Sequence, residues 1–378
     1  MSWFRFTSIK RSAFNPRHRL KAERVQRLSG ALRFVKICDP GFSRNALVSV
    51  ITLFLAPVAA AAGDTLDSVR LRGEVACGVS GKAIGFSEMR LDGTRIGLDV
   101  DMCRAIAAAV FGDADAVEFV ELSNIDRFDA LRYGEVDVLI RNTTWTYTRD
   151  TTLDLAFTGI TYFDGQGFLV HADAGIRTIE DLDGKRICFK TATTHELNLD
   201  AIFTSRNLSF DPMPMDETDL AILMFQNRRC DALTSDQSEL FGIRTALAEP
   251  DSAYVMPLLI SKEPLGPSVR QDDPEWMNIV EWTLFAMINA EELGVTSDNV
   301  AEMSSSTDPA VQLLLNGAES DDGTLGLDAG WPTQVIAQVG NYEEIFARNL
   351  GDDSPIGIKR GLNALWTEGG LMYAPPFR

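Results

Sequence analysis

The sequence predicts an α/β protein built from two lobes. Two series of alternating strands and helices carry this prediction, one over residues 74–140 and the other over residues 186–247. Such alternation is typical of a parallel sheet covered by helices. Two stretches rich in Gly or Pro, 155–170 and 263–270, interrupt the series, and a helical part follows them. Two lobes joined by two crossings leave a cleft that a hinge motion can close.

The first series opens with a strand at 74–79. A helix is predicted over 98–111, because a wide apolar stripe runs along it and Gly112 follows as a stop signal. The order strand, helix, strand, helix, strand predicts one sheet. The later members of the series are a strand at 117–121, a helix at 125–133 and a short buried strand at 136–140.

The second series repeats this order and leads into the C-terminal part. Residues 254–260 are predicted to be extended. A long helix over 274–293 begins with a Pro, which is a favoured first position. The remainder is predicted to be helical, apart from a loose insert near 316–330. The second series has predicted strands at 186–190, 209–213 and 230–234, and predicted helices at 193–206, 217–227 and 236–247.

The N-terminal segment is typical of a secretory leader. It holds 11 of the 35 Lys and Arg residues but only two acids, and its basic region ends at Arg44. An apolar run at 46–58 and small residues at 59–62 follow, as in a signal peptide with its cleavage site. The apolar run is shorter than the roughly 20 residues that span a bilayer. We expect an exported chain; an extended leader and a start codon further downstream both stay open.

These patterns divide the chain into four parts. Residues 1–62 form the leader, and residues 63–166 form the first part of lobe 1. Residues 167–266 form lobe 2, and residues 267–378 return to lobe 1 with a C-terminal helical extension.

Composition and motifs argue against several classes of function. A net charge of −19 disfavours binding to nucleic acid or to anionic membranes. The sequence contains no phosphate-binding loop, no dinucleotide fingerprint and no G-x-S-x-G motif. After the leader only His171 and His195 remain, and neither has a partner at metal or triad spacing. We therefore expect no cofactor, no metal and no nucleic-acid partner.

Four cysteines follow the leader: Cys77, Cys103, Cys188 and Cys230. They allow three pairings. Each predicted lobe holds two of them, so bonds 77–103 and 188–230 are the economical choice in an oxidising compartment. Four buried free thiols are the alternative. Zinc is not expected, because the sequence has no C-x-x-C motif and no Cys/His cluster.

Polar residues replace the apolar ones where the strand at 136–140 ends. The next ten residues include Asn142, Thr144 and Arg149. Ligands of open α/β sheets lie beyond the carboxyl ends of the strands. Arg presents a two-pronged donor to a carboxylate and keeps its charge. The pattern predicts a site for a small ligand with a carboxylate; a Thr-rich surface loop with a solvated Arg is the alternative.

The second lobe repeats this arrangement. Thr193 and Glu196 have the spacing of a capping box, which predicts a helix N-terminus that attracts an anion. An ordinary capped helix facing water is the alternative. Asp236 ends the next strand, either as a helix cap or as a carboxylate that binds an ammonium group. With the arginine of the first lobe it fits a zwitterion, whose carbon skeleton would contact Phe86 and Trp145. For either aromatic alone, packing in the core is the more frequent alternative.

Several long segments resemble the periplasmic general L-amino-acid-binding proteins of ABC transporters. The resemblance extends over essentially the whole chain after the leader. It implies a periplasmic-binding-protein-like fold of type II, in which two α/β lobes joined by two crossing strands close on one amino acid. The segments include RNTTWTYTRDTTLDLAFTGITYFDGQGF (141–168), TATTHELNL (191–199), TSDQSEL (234–240), SKEPLGPSVRQ (261–271) and RGLNALWTEGGLMYAPPFR (360–378).

The resemblance also implies roles for individual residues. Arg149 would bind the α-carboxylate of the ligand, and Asp236 would bind its α-amino group. Two residues depart from the pattern: Ala192 stands where relatives have Gly, and His195 where they have a small polar residue. The first would shift its loop, and the second would alter the side-chain preference. The remaining implied ligand contacts are Thr144 and the backbone of Asn142 in the first lobe, Thr193 and the N–H of Thr194 in the second, and Ser80, Phe86 and Asn124 around the side chain.

The function implied is that of an extracytoplasmic solute-binding protein in the periplasm. It would capture L-α-amino acids with broad specificity and deliver them to an ABC transporter permease. It would be a monomer without enzymatic activity, with the ligand and, transiently, the permease subunits as partners. An enzyme on the same fold, such as a cyclohexadienyl dehydratase, and a sensor that passes its ligand to a receptor are the alternatives.

Overall fold

The computed structural model describes residues 65–316 and 325–378. The expected leader, 1–62, and part of the expected insert lie outside the described residues. No helix of the described part is both long enough and apolar enough to cross a bilayer. Strands and helices alternate in both halves of the chain, as predicted.

The first part of lobe 1 contains the helix whose bounds were predicted from its apolar stripe. Its first residue is Leu98, and it ends before Gly112, whose φ of 66° is left-handed. Glycine adopts this conformation without strain and so ends the helix. The elements are α1 (Thr65–Arg72), β1 (Val75–Val79), β2 (Lys82–Ala83), β3 (Ser87–Met89), β4 (Arg95–Ile96), α2 (Leu98–Phe111), β5 (Val117–Glu121), α3 (Arg127–Arg132), β6 (Val138–Leu139), α4 (Tyr147–Thr152) and β7 (Leu155–Phe157).

A crossing strand then leads into the second lobe, which is one continuous stretch of chain. Its helices begin where strands end, so loops at one edge of the sheet carry the polar residues. The elements are β8 (Tyr162–Asp164), β9 (Gln166–His171), β10 (Lys185–Lys190), α5 (His195–Ser205), β11 (Phe210–Met215), α6 (Thr218–Gln226), β12 (Ala232–Asp236), α7 (Gln237–Ala246) and β13 (Ala253–Val255).

A second crossing strand, paired antiparallel with β8, returns the chain to lobe 1. The expected helical character of the C-terminal part holds only as far as Asn349. Beyond it, Gly and Pro residues break the chain into loops and two 3₁₀ turns, Gly361–Asn363 and Trp366–Glu368. The elements are β14 (Glu263–Leu265), β15 (Ser268–Arg270), α8 (Pro274–Glu292), α9 (Val300–Met303), α10 (Pro309–Asn316), α11 (Trp331–Gln338) and α12 (Tyr342–Asn349).

Each lobe is built on a five-stranded sheet, with order β5-β1-β6-β15-β7 in the first and β11-β10-β12-β9-β13 in the second. The three strands of each alternating series are parallel. Strand β9 runs antiparallel to its neighbour β12, and strand β15 runs antiparallel to its neighbours β6 and β7. The carboxyl ends of β6, β10 and β12 therefore supply the loops between the lobes. These two sheet-rich lobes confirm the predicted fold class.

The largest apolar core lies in lobe 1, where the C-terminal helices pack against α2 and the sheet. Trp276 of α8 is 1% exposed and donates its indole N–H to the carbonyl of Asp137 at 3.0 Å. Two disulfide bonds tie helix or loop to strand. Cys77 and Cys103 join β1 to α2, and Cys188 and Cys230 join β10 to the loop before β12. This is the pairing that the sequence made economical.

Candidate functional site

A small cavity lies between the two lobes, at the carboxyl ends of strands from both sheets. All the residues in its wall have polar or charged side chains, which suits a small charged ligand. It contains seven of the nine residues that the resemblance implied as ligand contacts. The lining residues are Asn124, Arg127, Arg141, Asn142, Thr144, Arg149, Lys190, Thr193, Thr194, His195, Asp236 and Glu239.

Arg149 lies on the first turn of α4, which Thr146 caps by accepting from the backbone N–H of Arg149 at 3.3 Å. Its Nη1 donates to the carbonyl of Thr144 at 2.8 Å, and its guanidinium lies 5.3 Å from the ring centre of Phe128. Burial lowers the pKa of Arg149, although Glu263 and Asp236 act against this effect. Arginine nevertheless stays protonated, so it presents a fixed cation to the cavity.

The backbone N–H of Asn142 is already used within the protein. Asn142 has a left-handed φ of 33°, and its N–H donates to Oδ2 of Asp99 at 2.7 Å. Asp99 is 2% exposed, and burial raises its pKa to about 7. The N–H of Asn142 is thus engaged by Asp99, while the residue itself lines the cavity.

The predicted capping box of Thr193 and Glu196 does not form. Ala192 has a left-handed φ of 55°, and the turn that follows directs the hydroxyl of Thr193 to the carbonyl of Lys190 at 2.8 Å. Helix α5 starts one residue later, with Thr194 as its N-cap residue but without a side-chain cap. The hydroxyl of Thr194 donates to Oε2 of Glu263 on β14 at 2.9 Å. The helix N-terminus still faces the cavity, as expected.

Asp236 ends β12 and its carboxylate does not cap α7. Instead, its Oδ1 lies 3.2 Å from Nε2 of His195, and both residues are 3% exposed. Nδ1 of His195 is buried without a hydrogen-bond partner among the described residues. The residue that departs from the family pattern thus contacts the carboxylate expected to hold an ammonium group.

Four charged residues of the cavity had no predicted role. Lys190 donates to both carboxylate oxygens of Glu239, at 2.6 and 2.8 Å. Arg141 follows strand β6 and Lys190 ends strand β10, so the pattern of a polar residue at a strand end, which indicated Arg149, was present for them too. Arg127 and Glu239 lie in the first turns of α3 and α7, where an isolated charge looks like an ordinary helix terminus.

Two aromatic residues expected near the ligand do not line the cavity. Phe86 is 1% exposed and packs in the core with its ring 5.5 Å from that of Tyr162. Trp145 stacks on Phe157 at 5.4 Å and lines neither this cavity nor the adjoining one. Ser80 lines the adjoining cavity of about 210 Å³, which shares Asn124 and other residues with the first.

The two lobes touch around these cavities. Lys82 of the first lobe lies 3.2 Å from Glu217 and 3.3 Å from Asp219 of the second. The side-chain amide of Asn124 donates across the cleft to the carbonyl of Thr191 at 3.4 Å. Such contacts are those of a closed arrangement, in which a ligand between the lobes is shielded from water.

Two α/β lobes on either side of a polar cavity, with an arginine and a buried aspartate in its wall, define a bilobed solute-binding protein. The chain belongs to the bacterial extracellular solute-binding proteins, family 3, whose sequence model matches residues 75–299.

Relatives and a solved structure agree with this membership. The chain is 49% identical over 320 residues to the putative amino-acid ABC transporter-binding protein YhdW of Escherichia coli K12, covering 84% of this chain and 94% of the relative. It is 47% identical over 322 residues to the general L-amino acid-binding periplasmic protein AapJ of Rhizobium johnstonii, covering 84% of this chain and 94% of the relative. A periplasmic binding protein from Brucella ovis, solved with glutathione bound, superposes with a TM-score of 0.82 at 47% identity. The superposition covers 84% of this chain and 100% of the Brucella chain.

Proposed function

We propose that this protein captures L-α-amino acids outside the cytoplasm and delivers them to the permease of an ABC transporter. The observation that carries the proposal is the presence in one cavity of Arg149 from the first lobe and buried Asp236 from the second. An amino acid carries a carboxylate and an ammonium group on one carbon. Its recognition therefore needs a cation and an anion at fixed positions, one on each side of the ligand.

The α-carboxylate is placed against Arg149. Its Nη1 is held by the carbonyl of Thr144, which leaves Nη2 for a carboxylate oxygen. Hydrogen bonds between two charged groups are roughly twice as strong as neutral ones. The hydroxyl of Thr144, the N–H of Thr194 and the N-terminus of α5 add donors and positive potential. Thr193 contributes to the wall of the cavity, with its hydroxyl hydrogen already donated to the carbonyl of Lys190.

The α-ammonium group is placed against Asp236. His195 occupies the side of Oδ1, so Oδ2 is the oxygen offered to the ligand. A carboxylate has about four acceptor positions and can serve both partners. His195 then acts on the ammonium end of the site rather than on the side-chain pocket.

Broad specificity is proposed for the side chain of the ligand. The relative from Rhizobium johnstonii is named a general L-amino acid-binding protein, and the Brucella ovis structure holds a tripeptide. The adjoining cavity of about 210 Å³, which Ser80 helps to line, offers room for side chains of different lengths. Pocket breadth then sets the range of ligands, while the shared zwitterion sets affinity.

We also propose that residues 1–62 direct the chain to the periplasm and that the mature protein acts as a monomer. Lobe 1 would comprise 63–166 and 267–378, and lobe 2 would comprise 167–266. The membership of β15 in the first sheet and of β9 to β13 in the second supports this division. The family description and the relatives' names support delivery to a permease without catalysis.

A thermal-shift screen of the exported protein against the twenty amino acids, their D-forms and prephenate tests the proposal. A ligand at 100 times its dissociation constant stabilises the folded state by about 2.7 kcal/mol. We expect shifts with several L-amino acids, none with the D-forms, and no turnover of prephenate. Turnover of prephenate, or no shift with any amino acid after refolding to remove carried-over ligand, contradicts the proposal. Loss of amino-acid uptake in a deletion strain separates the transporter from a sensor.

A further inference from the structure

The cavity contains more positive charge than a neutral amino acid needs. Its wall carries four cations and two anions. Lys190 is neutralised by Glu239, and the zwitterion proposed above accounts for Arg149 and Asp236. Arg127 and Arg141 are left over, and neither makes an ion pair with any described residue.

Arg127 is a buried cation with unused donors. It is 3% exposed, its guanidinium lies 4.7 Å from the ring centre of Phe128, and its Nη2 reaches the carbonyl of Ala192 at 3.4 Å. Its Nε has no hydrogen-bond partner among the described residues. Burial and the neighbouring Arg141 and Arg149 hold the pKa of Arg127 well below its usual range. A buried charge without a partner is costly, so an anion at this place would stabilise it.

Arg141 connects the two cavities. It is 7% exposed, and its Nε donates to the carbonyl of Leu122 at 2.8 Å, which fixes the side chain. It lines both the first cavity and the larger one next to it. The negative charges that act on Arg141 come from Glu239, Asp99 and Glu217. Glu239 is paired with Lys190, and Glu217 is paired with Lys82. Burial raises the pKa of Asp99 to about 7, so this carboxyl is a weak counter-charge near neutral pH. The terminal nitrogens of Arg141 are thus suited to an anion located between the cavities.

We propose that Arg127 and Arg141 form a second anion-binding position in this site, which receives the side-chain carboxylate of an acidic amino acid. The inference rests on the proposed function, because the zwitterion must already occupy Arg149 and Asp236. The protein then prefers ligands with a carboxylate two or three bonds beyond the α-carbon to ligands with the corresponding amide. Size does not explain such a preference, since the acid and its amide are nearly isosteric.

Isothermal titration with L-glutamate and L-glutamine, and with L-aspartate and L-asparagine, tests this inference on the wild-type protein. A hydrogen-bonded charge pair contributes about 1.5–3 kcal/mol, so we expect each acid to bind at least tenfold more tightly than its amide. Equal affinities for acid and amide overturn the second anion position while leaving the proposed function standing. If none of the four binds and no other amino acid does, the proposed function itself fails.

Two substitutions locate the effect. Arg127→Gln and Arg141→Gln remove a charge each, and we expect either to weaken glutamate binding at least tenfold more than glutamine binding. Arg132→Gln is the matched control, because Arg132 is on the same helix as Arg127 but pairs loosely with Asp129 at 3.8 Å, away from the cavities. Equal losses for both ligands would mean that these arginines act on the shared α-carboxylate, which overturns the inference. If a Gln variant does not fold, the Arg→Lys variant and the wild-type ratio decide.

Discussion

Gly242, in the middle of α7, lies against Ile84 in a loop of the first lobe. A Cβ atom added to Gly242 would lie 3.0 Å from Cβ of Ile84 and 3.1 Å from its Cγ2 and from its carbonyl oxygen. The carbonyl belongs to the backbone and cannot move aside as a flexible side chain can. Gly242 is not among the residues with positive φ, so an alanine fits the helix itself without strain.

Two free-energy terms follow for Gly242→Ala, and they act on different states. Alanine favours a helix over glycine by about 1 kcal/mol, and this term is present whether the lobes are open or closed. Overpacking against Ile84 costs about 1–3 kcal/mol and applies only to the closed arrangement. Because the ligand binds between closed lobes, we expect ligand affinity to fall about 5- to 150-fold. The free energy of unfolding of the ligand-free protein should stay unchanged or rise by about 1 kcal/mol.

Titration calorimetry with an amino acid that the wild-type protein binds, together with denaturant unfolding without ligand, measures both terms. Ile84→Gly removes Cβ and Cγ2, two of the three close atoms, and leaves the carbonyl oxygen, so the double variant should recover part of the lost affinity. Wild-type affinity in Gly242→Ala refutes the reasoning. So does an affinity loss of the same size in the Ile84→Gly background, because it would then not arise from this contact.

Three further predictions concern stability. Burial raises the pKa of Asp99 from 3.8 to about 7, so ionisation of this carboxyl opposes folding more and more as the pH rises between these values, by at most about 4 kcal/mol. Asp99→Asn should therefore raise the melting temperature at pH 8. An increase in melting temperature as large at pH 5 argues against this cause. The bond between Cys188 and Cys230 spans 42 residues, so replacing both by Ser should lower the free energy of unfolding by about 4 kcal/mol on the loop-entropy model. Urea titration under oxidising conditions measures this loss of stability, and an unchanged unfolding midpoint contradicts the prediction. Ala192 has a left-handed φ of 55°, a conformation that costs an alanine about 1–2 kcal/mol. Glycine avoids this cost but loses more conformational entropy on folding, so Ala192→Gly should stabilise the protein by up to about 1 kcal/mol. A lower melting temperature would show that the turn is not strained.

Much of the fold was predictable because local signals agree with the tertiary structure. The apolar stripe and Gly112 defined α2 to the residue. The strand-end argument identified Arg149 and Asp236, because the carboxyl ends of neighbouring strands meet at one edge whatever the rest of the fold does. Strand β6 was predicted at 136–140 and is shorter, Val138–Leu139, because pairing with its neighbours ends there.

Sequence patterns indicate least where the outcome depends on partners distant in the sequence. The ring of Phe86 packs against Tyr162, and no local pattern indicates that contact. The capping box at Thr193 depended on the conformation of Ala192, which spacing alone does not reveal. Arg127 was missed because its lack of a counter-charge is visible only once the surrounding chain has been placed.

The most direct test of the central claim is titration of wild-type, Arg149→Gln and Asp236→Asn proteins with one L-amino acid that binds. The account predicts that each variant folds with a melting temperature near that of the wild type and loses at least a hundredfold in affinity. An analogue of the ligand without its amino group should bind equally well to the wild type and to Asp236→Asn. An analogue without its carboxylate should bind equally well to the wild type and to Arg149→Gln. Wild-type affinity for the amino acid in both variants would contradict capture of a zwitterion between these two residues.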